Sequence, residues 1–255
     1  MFKGFYTLTS GMLTQQRKLN TISNNMANVA TPGYKKDVLA TRTFEEVLAH
    51  RTGSIDKRSP AELASVTMIR TPDEFVTNFE QGITEETRRP FDVALLGDGF
   101  FEIQTPEGDF VYTRNGSFTL DDEGYLYLQH IGRVMGQDGL PILLGTDKIR
   151  FDAHATILST EDNNAPIAAL RVVAFADNSL LEKAGEGMFD AANAGAGVNV
   201  VAPRTMGGAL ERSNVNPGEE MVAMITSQRG LQSASQILKM MDQIMQRAAN
   251  DIGRL

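Results

Sequence analysis

The chain has 255 residues, enough for one large domain or two modest ones, and its 42% hydrophobic and 22% charged residues are the balance of a folded protein. A net charge of −8 argues against a phosphate backbone as the main partner, and no Lys/Arg cluster offsets it locally, since Lys35-Lys36 and Arg88-Arg89 are isolated pairs. With no Cys, disulfides, thiolate metal sites and cysteine nucleophiles are all excluded.

No run approaches the roughly 20 apolar residues of a membrane helix, so no membrane insertion is expected. The opening Met1-Phe2-Lys3-Gly4-Phe5-Tyr6 has no apolar core followed by a small-residue cleavage site, which predicts a chain without a cleavable signal.

Residues 1 to about 30 read as a helix. Phe5, Leu8, Met12, Gln15, Leu19, Ile22, Met26 and Val29 keep a 3-4 spacing, the seam of a coiled coil with one polar member. Thr31-Pro32-Gly33 ends it, through a proline that cannot continue the helix and a glycine free to take positive φ. Residues 36–90 carry no clear period and are expected to form an extended connector.

Residues 91–205 read as a β-rich domain. Phe91–Leu95, Phe100–Gln104, Phe110–Arg114, Ser117–Leu120 and Tyr125–Leu128 are apolar runs separated by Gly97-Asp98-Gly99, Pro106–Asp109, Asn115-Gly116 and Asp121–Gly124. Asn115-Gly116 is a strong hairpin signal, and strands this closely spaced indicate an antiparallel meander, sandwich or barrel. Later strands are expected near 141–144, 149–151, 167–176 and 198–202.

Residues 206–255 read as a return segment and a second long helix. Asn216 stands where a cap belongs, Pro217 suits the first helical position, and Glu219 suits a capping box. Met224, Ser227, Leu231, Ala234, Leu238, Met241, Met245, Ala248, Ile252 and Leu255 repeat the 3-4 spacing to the last residue. A period of 3.5 selects a narrow stripe that fits one or two partner helices. Further apolar residues, Leu13, Ile225, Ile237, Met240 and Ile244, form a second stripe that a single helix pair would leave wet, which points to neighbours from other subunits.

Chemistry is sparse. His50, His130 and His154 have no second ligand at metal spacing. Gly195-Ala196-Gly197-Val198-Asn199-Val200 has Val where a dinucleotide loop needs its third Gly. Asp121-Asp122-Glu123 lacks the alternating spacing of a calcium loop. The sequence therefore predicts no enzyme, no cofactor, no catalytic residue and no metal site.

Four stretches together resemble the bacterial flagellar rod and hook family. Ser23 to Lys35 resembles its N-terminal signature, with Asn24, Asn25, Ala27, Asn28, Thr31, Gly33 and Lys35 at the core positions. Leu96–Phe101 resembles its Gly-rich strand entry, and Tyr112–Phe118 the hairpin that follows. Leu210–Pro217, containing Ser213, Asn214 and Val215, with Glu219-Glu220-Met221, resembles the lead-in to its terminal helix. The length is similar to that of the basal-body rod proteins, proximal or distal.

The resemblance implies an α+β fold, with paired N- and C-terminal helices in a coiled-coil inner domain and a central, mainly antiparallel β domain outside it. It implies a subunit that polymerises helically around an export channel and transmits torque. The partners implied are copies of itself, other rod and hook subunits, the flagellar type III export apparatus and surrounding ring proteins, at an extracytoplasmic basal-body location. The self-assembly seam is expected at Phe5, Leu8, Met12, Leu19, Ile22, Met26, Leu231, Leu238, Met241, Met245, Ile252 and Leu255. A secreted binding module or cap that oligomerises through its terminal helices is the alternative.

Overall fold

In a computed structural model of the chain, the described residues are 2–43, 47–50, 62–66, 70–161, 164–185, 187–195 and 197–252. Helix α1 spans Phe2–Ala27 and helix α2 spans Pro217–Ile252. The chain separates into two compact units, one of Met1–Met26, Asp37–Val76 and Pro217–Leu255, the other of Ala27–Lys36 and Thr77–Asn216.

The first unit holds the two helices and four strands. α2 starts on Pro217, which needs no intrahelical partner for the N–H it lacks, and Glu219 and Glu220 put negative charge on its first turn. Within the helices, Thr14 and Thr21 are buried yet satisfied, each hydroxyl donating to the carbonyl four residues back. The stretch expected as a connector supplies β1 (Asp37–Thr43), β2 (Val47–His50), β3 (Glu62–Val66) and β4 (Arg70–Thr77). β1 pairs with β4, and β2 runs antiparallel to β3. Val47 and Leu48 lie in β2, and 44–46 fall outside the described residues.

The second unit is mainly β, with one 3-10 turn at Asn178–Leu180. β5 (Thr84–Glu86) and β6 (Val93–Leu96) lead into β7 (Phe100–Gln104) and β8 (Phe110–Thr113), then a meander of β9 (Phe118–Leu120), β10 (Leu126–Leu128) and β11 (Gly132–Val134). β12 (Ile149–Phe151), β13 (Thr156–Ser159) and β14 (Pro166–Ala169) form a separate antiparallel sheet. β15 (Val172–Ala174), β16 (Glu182–Gly185), β17 (Met188–Asp190) and β18 (Val198–Asn199) return to the main sheet, ordered β16-β17-β8-β7-β11-β10-β9. β19 (Arg204–Gly207) closes on β6, and β20 (Ala209–Glu211) on β5.

β7 is the centre of this unit because both of its faces are covered. Successive side chains of a strand point to opposite faces. Phe101 and Ile103 enter the main core with Val93, Leu126, Val134 and Leu170. Phe100 enters a second cluster with Phe79, Tyr112, Phe175 and Phe189, whose rings meet edge-on or tilted.

The hairpin expected at Asn115-Gly116 does not form. β8 pairs with β7 and β17, and β9 pairs with β10, so the two flanking strands are not neighbours. Local chemistry explains why. The Asn115 side-chain carbonyl accepts from the Ser117 N–H and hydroxyl, turning the chain as a corner. Gly116 presses against the Val93 carbonyl, where a Cβ would come within 1.8 Å. The Gly is required for this approach, not for a positive-φ turn.

Candidate functional site

Two sets of residues are brought together by this fold, a helix pair in the first unit and a buried polar node in the second. In the helix pair, a Cβ on Gly4 would meet the Met241 terminal methyl at 3.7 Å, and one on Gly230 the Gln15 side chain at 3.6 Å. Eleven residues forward along α1 thus match eleven residues back along α2, an antiparallel register. Ile22 and Ser227 are buried; Phe5, Leu8, Met12, Gln15, Leu19, Met26, Leu231, Leu238 and Met241 are half-buried; Met245 is exposed. The Ile252 side chain and Leu255 lie outside the described residues.

That register leaves α2 partly alone. Its 36 residues span about 54 Å, whereas the 26 of α1 span about 39 Å. With Met241 beside Gly4, α1 continues two residues to Phe2 whereas α2 continues eleven to Ile252, so the last turns of α2 run past the start of α1. The second apolar stripe is wet along both helices: Leu13, Met221, Val222, Ile225, Ile237 and Met240 are exposed, and Ile244 is 64% exposed.

The polar node is built from the sequence motifs at the two ends of the β unit. Lys35 Nζ lies 2.7 Å from Glu211 Oε1 and also donates to the Glu80 carbonyl. The same carboxylate oxygen accepts from the Gly82 N–H at 2.9 Å. Arg114 Nη1 donates to the Gly97 carbonyl at 2.7 Å and lies 3.5 Å from Glu211 Oε2, with its guanidinium 5.1 Å over the Phe100 ring centre. Two cations thus share one carboxylate, and all three side chains are buried. Burial pulls the Lys35 ammonium below its ordinary range against the opposing pull of Glu211, and burial likewise lowers Arg114.

The backbone around the node is fixed with equal economy. Gly33 has φ +69°, donates its N–H to the Glu211 carbonyl at 2.7 Å, and would place a Cβ 2.4 Å from the Arg114–Asn115 peptide. Asn214 accepts from the Lys36 N–H and donates to the Asn78 and Glu80 carbonyls, so one amide ties three segments. Lys183 donates to the Lys35 carbonyl and sits 4.3 Å over the Tyr34 ring.

The other motif residues have separate places. Asn25, in the first unit, is buried and grips Asp37 twice, its amide donating to the carbonyl and accepting from the N–H. Thr31 donates to the Asn28 side-chain carbonyl as the chain leaves α1, while Asn24 and Ala27 are exposed. Ser213 accepts from the Val215 N–H, and Val215 is buried. The sequence reading missed Glu211 and Arg114 as node members. Both lay inside stretches it quoted, but nothing in a sequence distinguishes a buried charge from a solvated one.

Nearby, the Tyr112 hydroxyl donates to Glu102 Oε1 at 3.2 Å, and burial with that carboxylate pushes the phenol up to about 12. Among the described residues no group of His, Asp and Glu is arranged to hold a metal ion. Neither is any helix of the described residues long and apolar enough to cross a membrane.

Comparison with known proteins settles the family. Three family models match in chain order: a flagella basal body rod protein model over residues 5–35, a flagellar hook protein FlgE/F/G D1 domain model over 94–162, and a flagellar basal body rod FlgEFG protein C-terminal model over 206–251. The chain is 31% identical to the flagellar basal-body rod protein FlgG of Bacillus subtilis, over 98% of this chain and 99% of that protein. The chain belongs to the flagellar basal-body rod protein family. The rod-family chain is also 31% identical to FlgG of Buchnera aphidicola from Schizaphis graminum, over 97% of this chain and 98% of that protein. It is 30% identical to the rod protein FlgF of Caulobacter vibrioides, over all of this chain and 98% of that protein. The first and third models fall on the two segments that supply Lys35 and Glu211, so the node joins the family's two end signatures inside one unit.

Proposed function

We propose that this structural rod subunit polymerises helically through the α1–α2 pair, forming a shaft that carries torque and encloses an export channel. The observation that carries this reading is the uncovered apolar surface of α2, on its outer stripe and on the turns that overrun α1. Each Leu or Ile side chain buried there contributes roughly 1.5–3 kcal/mol as an upper bound, so many modest contacts between copies add to a stable polymer. Other rod and hook subunits continue the same stacking above and below. The export apparatus delivers the subunit, and ring proteins surround the finished shaft on the extracytoplasmic side.

The test uses two substitutions. Leu238→Asp breaks the seam between the helices, and Ile244→Asp places a charge on the exposed stripe of α2. Both are expected to leave the β unit folded by circular dichroism and to abolish rod formation seen by electron microscopy of basal bodies. Complete rods built from the Ile244→Asp protein would overturn the proposal, because that side chain is 64% exposed and little of it is covered within its own chain.

A further inference from the structure

The β unit carries an acidic groove at one end and an unpaired basic loop at the other. The groove, of about 790 Å³, lies against the β7–β8 turn; Phe110, Tyr112 and Met188 contribute apolar and aromatic surface, and Glu107, Asp109 and Asp190 are its acidic lining. No Lys or Arg lines it among the described residues. Glu107 and Asp109 are exposed and have no ion-pair partner among those residues, and Phe110 is 46% exposed although it begins a strand.

The basic loop is Arg88-Arg89. Both side chains are exposed and have no ion-pair partner among the described residues. The loop is held in place by its backbone: the Arg88 N–H donates to the Gly208 carbonyl, and the Arg89 carbonyl accepts from the Asp92 N–H. Arg88 has φ +59°, a backbone conformation that a non-glycine residue seldom adopts.

Position decides what these two features can do for each other. The groove sits at the Phe110 end of β8, whereas Asp92 bridges to Ser117 and Val93 touches Gly116, both past the other end of that strand. The four strand residues Phe110–Thr113 and the Asn115 corner lie between the groove and Gly116. The loop is anchored past one end of β8 and the groove lies at the other. A donor at one end and an acceptor at the other make a heterologous, head-to-tail contact, which propagates and does not close on itself.

We propose that the groove receives Arg88-Arg89 of a second copy of this chain, as a charge-selected contact between β units that sets their register in the polymer. The inference rests on the proposed self-assembly. Arginine suits it, since its planar guanidinium packs on aromatic surface while donating to carboxylates. A contact of this kind steers association and weakens as salt screens it.

The test is self-association of the full chain, by sedimentation and pelleting at low and high salt. Arg88→Glu/Arg89→Glu and Glu107→Lys/Asp109→Lys alter only exposed side chains and are expected to melt like the parent. Each alone is expected to associate on the order of tenfold more weakly at low salt, with the difference shrinking at high salt. Mixed together, the two variants are expected to recover association, because each supplies the charge the other now needs. Leu238→Asp serves as the reference for loss of assembly. If that variant fails to assemble while both charge variants assemble like the parent, this inference is overturned and the helical polymer stands. Weakened single variants that the mixture does not rescue also overturn it. If the groove variant self-associates normally yet is not incorporated into basal bodies, the groove receives a different subunit and self-docking is wrong.

Discussion

Replacing Glu211 should damage the β unit more than replacing Lys35, even though the two face each other across one ion pair. Glu211→Gln keeps the volume and the acceptor for the Gly82 N–H but leaves Lys35 and Arg114 as two buried cations with no anion between them. Removing one member of a buried pair costs about 3–5 kcal/mol, most of it the uncompensated charge left behind. Lys35→Met removes one cation and leaves Arg114 beside Glu211, a neutral pair. Its cost is the lost bonds to Glu211 and the Glu80 carbonyl, about 1–3 kcal/mol. With a urea slope near 2 kcal/mol/M, Glu211→Gln should lower the unfolding midpoint by roughly 2 M and Lys35→Met by roughly 1 M. Urea titrations followed by circular dichroism and tyrosine fluorescence would measure both. A Lys35→Met loss equal to or larger than that of Glu211→Gln would refute the account of two cations sharing one carboxylate.

Two glycines should respond in opposite directions to the same substitution. Gly33→Ala meets the Arg114–Asn115 backbone at 2.4 Å from a positive φ, and should cost about 2 kcal/mol or more in the same titration. Gly230→Ala meets only the end of the Gln15 side chain at 3.6 Å, and should stabilise α2 by up to about 1 kcal/mol, read from the helical band on heating. Tyr112 gives a pH signature. Its folded phenol titrates at about 12 against an ordinary value of 10, so the folded state holds a proton that the unfolded state releases. The stability this supplies is complete below pH 10 and is lost as the pH rises towards 12. Urea midpoints compared between about pH 9 and about pH 11 should fall further in the parent than in Tyr112→Phe.

The two helices were legible from the sequence because their signals are local. The 3-4 spacing, Pro32-Gly33 and Pro217 act within one or two turns; α2 begins on Pro217, whereas α1 stops at Ala27, short of Val29 and five residues before Pro32. The β strands were legible for the same reason, as apolar runs between turn residues. Their partners were not. Asn115-Gly116 has the composition of a hairpin, yet the Val93 carbonyl, distant in sequence, fixes what the glycine does there. The node was the least visible part. Lys35 and Asn214 could be singled out through family resemblance, but Glu211 and Arg114 acquire their roles only when burial removes the water that would otherwise solvate them.

The node also sets an order of events for the chain. Lys35 and Glu211 are 176 residues apart, with Gly82 and Arg114 drawn from between them. A chain that emerges N-terminus first has the Glu80 carbonyl early but no Glu211 carboxylate to place beside Lys35 until about four-fifths of its length is present. Before that moment a solvated lysine loses more by entering the core than it gains, and closing so long a loop has no reward to offset its entropy. The β unit is therefore latched by a residue near its own C-terminal end, and Lys35 keeps its water until that residue is present.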